Sequence, residues 1–372
     1  MFIKSTVVLF TIMLLIMLHE IQAIDPCDKQ FEIVSDLSQE SCGEGYVFQK
    51  QGNPVHNCFP QCVPYDTQQF CSETNPCPPG FLCPNKDESS CIPDPNSCIT
   101  RVNNPTNPWE DAWKPTCLPD GSWAPKQCKG DAGSGRCFCY DEVGNRIFGQ
   151  AFIDESTNMT CACSRRKTEI RRQGFRTYST LHCDSMGNYE PLQCDDGQCW
   201  CAENKTGEII SKVVPFSMMT LLPCYSKEDI GSNYTRQCES NGWAQANLLH
   251  EFNLHGTKYM NFPHVLCDDD GNYGNYQLVG AQVYCKWKDN TNINVYSAAI
   301  DSDIRNVNCY CARDTKLYES IGAAQYLICL SNGNYRPEQY HMSNKKWYCV
   351  DKDGFKSSDF FEKKPDNCSI YT

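Results

Sequence analysis

Twenty-eight of the 372 residues are cysteine. Their number, and the short spacings between neighbours, constrain this chain more than any other feature. Such density belongs to an oxidising compartment and to disulfide-stapled scaffolds. An even count lets every thiol pair. The spacing divides the chain into small modules, each too small to be held by its own apolar core.

One stretch organises the rest. Residues 183 to 207 carry Cys183, Cys194, Cys199 and Cys201. Gly187-Asn188 is a turn signal, because both residue types tolerate positive φ. Tyr189 opens a short extended run that ends at Gln193-Cys194, and Cys199-Trp200-Cys201 follows. The pattern recurs upstream as Cys117 to Cys128 with Cys137-Phe138-Cys139, Trp123 standing in the Tyr position. It returns twice downstream in eroded form. The first return is Cys267 to Tyr273; the second is Cys329 to Tyr340 with Trp347-Tyr348-Cys349-Val350. Repetition of this kind decides the architecture. A single residue separates Cys161 from Cys163, and another separates Cys309 from Cys311, so neighbouring units should be docked rather than strung on a linker. Residues 225 to 237 are polar and read as a linker and the main hinge.

The stretch resembles the thyroglobulin type-1 repeat, whose pattern is a Gly-containing turn, Tyr, Gln-Cys, Cys-Trp-Cys-Val and a Gly; here Ala202 takes the Val position. The resemblance implies small disulfide-rich α+β modules in tandem, each a short helix plus a small antiparallel sheet, mostly loops. It places repeats at 98–162, 163–224, 238–310 and 311–372. In that family six cysteines pair first with second, third with fourth and fifth with sixth. Carried over, this pairs Cys98 with Cys117, Cys128 with Cys137, and Cys139 with Cys161. In the second repeat it pairs Cys163 with Cys183, Cys194 with Cys199, and Cys201 with Cys224.

The third and fourth repeats lack both partners of the middle bridge. Leu278 and Val283 stand there in one, Tyr340 and Trp347 in the other. An apolar pair is the natural substitute for a buried bridge. The remaining pairs are then Cys238 with Cys267, Cys285 with Cys309, Cys311 with Cys329, and Cys349 with Cys368. With four bridges in an unassigned eight-cysteine module at 24–97, all 28 cysteines are used.

Lys4, the apolar run Val7 to Leu18 and a polar stretch ending at Ala23 read as a signal peptide over 1–23. No later run is long enough to cross a bilayer. Sequons at Asn158, Asn204, Asn233 and Asn367 fit a secreted, extracellular glycoprotein. The net charge of −12 argues against nucleic acid as a partner.

Other motifs read blandly. His250 and His255 are five residues apart, diverge by about 140° on a helix and would not share a zinc ion. Asp268-Asp269-Asp270 lacks the alternation of a calcium loop and reads as a solvated turn. Arg165, Arg166, Lys167, Arg171, Arg172 and Arg176 read as a solvated helix face, with glycosaminoglycan binding or processing as the functional alternatives. No nucleophile motif, P-loop or dinucleotide fingerprint is present, and the thiols are needed for bridges, so an enzyme or a cofactor is not expected.

Proteins that the chain resembles include inhibitors of papain-like cysteine peptidases, which insert three loops into the active-site cleft. The implied partner is an extracellular or lysosomal-type peptidase. The same repeat also serves as a non-inhibitory module in matrix and ligand-binding proteins. In the first repeat the corresponding segments are 109–114, 129–136 and 141–145. The candidate inhibitory loop is the middle one: Lys129, Gly130, Asp131, Ala132, Gly133, Ser134, Gly135 and Arg136. Its glycines let the backbone approach a cleft closely.

Overall fold

The computed structural model describes residues 46–49, 61–64, 71, 77, 80–84 and 90–371, apart from 132–134, 174–178, 231–232, 258–264, 301–305 and 324–325. The expected signal peptide, with Cys27, Cys42, Cys58 and Arg176, lies outside the described residues. Two compact units are present: 1–100 with 117–122, and 101–116 with 123–372.

The first unit is built from two small hairpins. Strand β1 (Tyr46–Gln49) pairs with β2 (Gln61–Pro64), and β3 (Phe81–Leu82) with β4 (Ile92–Pro93). Bridges Cys71–Cys83 and Cys77–Cys91 staple it. Helix α1 (Cys98–Asn103) begins here, and Cys98 is bonded to Cys117. Ser97 Oγ and the Cys98 amide both donate to the Gly121 carbonyl, so the turn is held by the backbone as well as by sulfur.

The second unit repeats one motif. Strands β5 (Lys126–Lys129), β6 (Arg136–Tyr140) and β7 (Arg146–Phe152) form an antiparallel sheet. Helix α2 (Ala162–Gln173) follows, then β8 (Leu192–Asp195), β9 (Gln198–Cys201) and β10 (Val214–Pro215). Short helix α3 (Lys227–Ile230) and the longer α4 (Gln237–Leu254) precede β11 (Tyr276–Val279), β12 (Gln282–Lys286) and β13 (Asn292–Ala299). Helix α5 (Tyr310–Ser320) leads to a last hairpin, β14 (Glu338–His341) and β15 (Lys346–Cys349).

A buried glutamine recurs in all four segments. Gln127, Gln193, Gln277 and Gln339 each accept from the amide of the residue eleven positions earlier and donate back to its carbonyl. This closed pair satisfies a buried amide and ties the first strand of the hairpin to the preceding chain. Sulfur does the rest. Bridges join 128–137, 139–161, 163–183, 194–199, 201–224, 238–267, 285–309, 311–329 and 349–368. Across the hairpins Cys128 faces Cys137 and Cys194 faces Cys199. Leu278 faces Val283, and Tyr340 faces Trp347, in the same register. The Tyr340 and Trp347 rings lie 5.1 Å apart.

The turn after each hairpin packs on the aromatic residue of the Tyr position. Gly144, Gly207 and Gly354 have positive φ, and a Cβ there would strike Trp123, Tyr189 and Tyr335 respectively. The third segment places Asn290, at φ 68°, in the same turn. Asn is the other residue type that adopts this conformation readily.

Neighbouring segments dock in the same way twice. Arg165 donates to the carbonyls of Tyr140 and Trp123, and Arg313 to those of Lys286 and Tyr273. Asn188 accepts the Thr160 amide, and Asn334 the Asn308 amide, both at 2.8 Å. Cys161 and Cys309 both take positive φ, which turns the chain sharply at each junction.

Three readings from the sequence are corrected here. The C-terminal part of the 225–237 segment, expected as a free linker, is docked on its neighbours; residues 231 and 232 lie outside the described residues. Tyr234 is buried, stacks on His182 at 4.2 Å and donates to the Thr180 carbonyl, while Arg236 joins Glu190 to the Asp270 carbonyl. The basic face of α2 is solvated only in part: Lys167 is buried, while Arg166, Arg171 and Arg172 stay about half exposed with acidic partners. Lys167 donates to the carbonyls of Leu181 and Asp269, Arg171 pairs with Asp269, and Arg172 with Asp141 at 2.6 Å. Only the Arg166–Glu169 pair of that helix is exposed on both sides. Likewise Asp269 and Asp270 are buried, Asp270 taking Lys288 at 2.9 Å. Lys167 and Arg171 thus meet Asp269, while Arg172 goes to Asp141.

Candidate functional site

The foot of the 129–136 loop is made by the facing ends of β5 and β6, where Lys129 pairs with Arg136 in register and Cys128–Cys137 closes the ladder. Both basic side chains point away from solvent, each 3% exposed. Lys129 Nζ lies 2.6 Å from Asp351 and 2.6 Å from Asp353, and 4.3 Å above the Trp113 ring. Arg136 makes a two-pronged bond to Asp314 on α5. Arg146 on β7 completes the group, reaching Asp353 at 2.9 Å from between the rings of Phe138 and Tyr310.

Three cations and three carboxylates therefore meet in a buried layer. Burial opposes the charge on Lys129, but Asp351 and Asp353 outweigh it and hold the ammonium above its ordinary range. Arg136 behaves alike through Asp314. Burial pushes against ionised Asp353, and Lys129 and Arg146 overcome it, holding that carboxyl well below the usual range. Tyr140 also donates to Asp353, at 2.9 Å, and burial raises its pKa.

Above this foot, Gly130 and Asp131 are exposed, and the Gly135 amide bonds back to the Asp131 carbonyl. Ala132, Gly133 and Ser134 lie outside the described residues. Phe355 of the last turn sits against Gly130, where a Cβ would come within 3.0 Å of its ring.

The two flanking segments converge on the same place. Trp113, from 109–114, donates to the Cys128 carbonyl at 2.8 Å and stacks on Trp123. Trp123 in turn lies under Gly144 of the 141–145 turn, whose amides at Val143 and Asn145 are held by Asp141. Trp109 reaches across to Asp359, and Asn107 to the Ser357 and Tyr371 carbonyls. The structure thus brings Trp113, the foot of the 129–136 loop and the 141–145 turn together, and braces that foot with the last segment. The bracing partners Asp314, Asp351, Asp353 and Phe355 were missed from sequence. The only signal was the charge of Lys129 and Arg136 against an acidic turn some 220 residues away.

In the second segment the 195–198 turn is exposed and closed by Cys194–Cys199. Of the sequons, Asn158, Asn233 and Asn367 are exposed. Asn204 is half-buried and its Nδ2 donates to the Tyr189 carbonyl at 2.6 Å. His250 and His255 are both exposed, near the end of α4. No helix among the described residues is long and apolar enough to cross a membrane.

Comparison with known proteins follows the same lines. A family model described as the thyroglobulin type-1 repeat matches residues 96–161 and 161–215; it is not a catalytic family. Rat thyroglobulin (Rattus norvegicus) is 31% identical over 106 residues, which is 27% of this chain and 4% of that protein. Equistatin from Actinia equina is 28% identical over 116 residues, 28% of this chain and 47% of its own length. U20-hexatoxin-Hi1a from Hadronyche infensa is 30% identical over 104 residues, 27% of this chain and 67% of its own. The match thus spans a small part of the thyroglobulins and about half of equistatin, but two thirds of the hexatoxin. With the repeated hairpins, buried glutamines and bridges above, these matches show that the chain belongs to the thyroglobulin type-1 repeat family.

Proposed function

We propose that this chain is a secreted inhibitor of papain-like cysteine peptidases that presents the 129–136 loop to the active-site cleft. We further propose that 238–310 and 311–372 are two more repeats, which hold that loop in place. The observation that carries the reading is the burial of Lys129 and Arg136 at the foot of the loop, in ion pairs with Asp351, Asp353 and Asp314. A loop fixed before its partner arrives loses little further entropy on binding. Family resemblance supplies the substrate class. The recurring glutamines and the two equivalent junctions support the parsing into four repeats. Signal-peptide cleavage after Ala23 and glycosylation at Asn158, Asn233 and Asn367 belong to the same reading.

A second reading is favoured by one contact. Phe355 covers one flank of the loop at Gly130, which narrows what can slide into a cleft. A non-inhibitory extracellular binding module would tolerate that cover.

The test uses the whole secreted chain in a papain-like peptidase assay, beside a variant with residues 130–135 replaced by Asn-Gly. Inhibition by the native chain and its loss in the variant supports the loop. No inhibition by the native chain removes the inhibitor reading. Inhibition that survives the replacement moves it to another loop, the exposed 195–198 turn first.

A further inference from the structure

Docking of the first, third and fourth segments leaves a cavity of about 450 Å³, within the range of small-molecule sites. Strand β7 forms one wall, α5 a second, and Asp268, Trp287 and Lys288 a third. Phe148, Phe152, Trp287 and Tyr310 give it aromatic sides, with Ile147 and Leu317 between them.

Its polar groups are unevenly satisfied. Arg136 lines it and is 3% exposed, yet its Nε has no hydrogen-bond partner. Arg313 spends Nε and one terminal nitrogen on carbonyls, and its Nη1 stands 3.6 Å from Asp268, too far for a hydrogen bond. Arg146 and Lys288 bring two further cations, each near an aromatic ring. Of these four, Arg136 is matched by Asp314, Arg146 by Asp353 and Lys288 by Asp270, which leaves Arg313 facing Asp268 across 3.6 Å. Burial holds the Arg313 pKa below its ordinary value and pushes Asp268 up to about 7. At that separation Arg313 has the weakest counter-charge of the four. A cation with one terminal nitrogen left over, between aromatic walls, suits a negative ligand with a flat apolar body.

We propose that this cavity binds a small amphipathic organic anion, an aromatic or apolar body carrying one carboxylate or sulfonate. The anionic group meets Arg313; the body lies between Trp287, Phe148 and Leu317. Asp268 is faced by Arg313 and Lys288 and by its neighbours Asp269 and Asp270; because its ionised form would repel the ligand, binding tightens as the pH falls through about 7.

The probe is anilinonaphthalene sulfonate, followed by its fluorescence on the full chain. The expected result is saturable one-to-one binding. It weakens about tenfold or more with Leu317→Trp, which fills the cavity, and with the uncharged analogue N-phenylnaphthylamine. It is unchanged in Leu221→Ser, a change on the apolar outer surface where Leu221 is 70% exposed. Asp268→Asn should abolish the pH dependence while keeping binding. Non-saturable binding, equal affinity for the uncharged analogue, or loss in Leu221→Ser but not in Leu317→Trp would overturn the proposal. The uncharged probe needs no variant, so a misfolded Leu317→Trp chain still leaves a decisive comparison.

Discussion

The two terminal nitrogens of Arg136 donate to the two carboxylate oxygens of Asp314, each at 2.6 Å, across 178 residues of chain. Both side chains are 3% exposed, so the pair is desolvated as well as paired. Such a pair adds little over a well-packed apolar one, but losing one partner strands a buried charge. Its effect is to set which faces of the segments meet.

Replacing one partner should therefore cost far more than replacing both. Arg136→Ala or Asp314→Ala is expected to lose about 3–5 kcal/mol, and a double Leu replacement to recover most of it. Denaturant midpoints of the three variants check this. Equal loss in the double replacement would mean the pair itself stabilises the chain.

Leu278 and Val283 occupy the register that a disulfide holds at Cys194 and Cys199. Installing Cys at both positions should give a bridge on oxidative folding, worth about 2 kcal/mol for so short a loop. Non-reducing peptide mapping reads its formation. Free thiols in the folded variant would show that the two hairpins differ in geometry.

His182 lies between Glu239, 2.6 Å from Nε2, and Glu190, 3.5 Å from Nδ1, with Tyr234 stacked on the ring and Arg236 beyond. Burial disfavours its charge, but hydrogen bonds to Glu190 and Glu239 outweigh burial and raise its pKa above 6.5. The stability it brings is fully present below about pH 6.5 and is lost as pH rises through the raised value. Thermal midpoints measured from mildly acidic to mildly alkaline pH should fall. The fall should shrink in His182→Gln.

Asp268 titrates in the opposite sense to a salt-bridged carboxylate. With its folded pKa near 7 against 3.8 unfolded, the folded state binds the extra proton between those values. Stability should fall as pH rises from about 4 to 7 and then level. Asp268→Asn should stabilise the chain at pH 8 and change little near pH 4. A uniform effect across pH would show that packing, not ionisation, is responsible.

Limited proteolysis should spare 233–237, since Tyr234 and Arg236 are tied to the second and third segments. Tyr234→Ala should expose it. Rapid cutting there in the native chain would mean that the docked state is minor.

What the sequence determined by itself was everything carried by local spacing. Cys137 and Cys199, each the first of a Cys-x-Cys run, the turn before Tyr189 and its counterparts, the Gln-Cys step and the apolar pairs at 278 with 283 and 340 with 347 all lie within a dozen residues of their partners, and the other bridges within about thirty. The hairpins and their register follow from them. Convergence of Trp113, the foot of the 129–136 loop and the 141–145 turn was legible only as far as the family resemblance reached. Only the tertiary structure decided how the segments pack on one another, because it depends on charges far apart in sequence. Lys129 meets Asp351 and Asp353 across more than 200 residues, and Arg171 meets Asp269 across 98. Read along the chain, a basic helix, an acidic turn and a polar connector each look solvated. Folding brings opposite charges together, buried at Lys129 and half-exposed at Arg171, and no periodicity or local motif records which basic group will meet which acid.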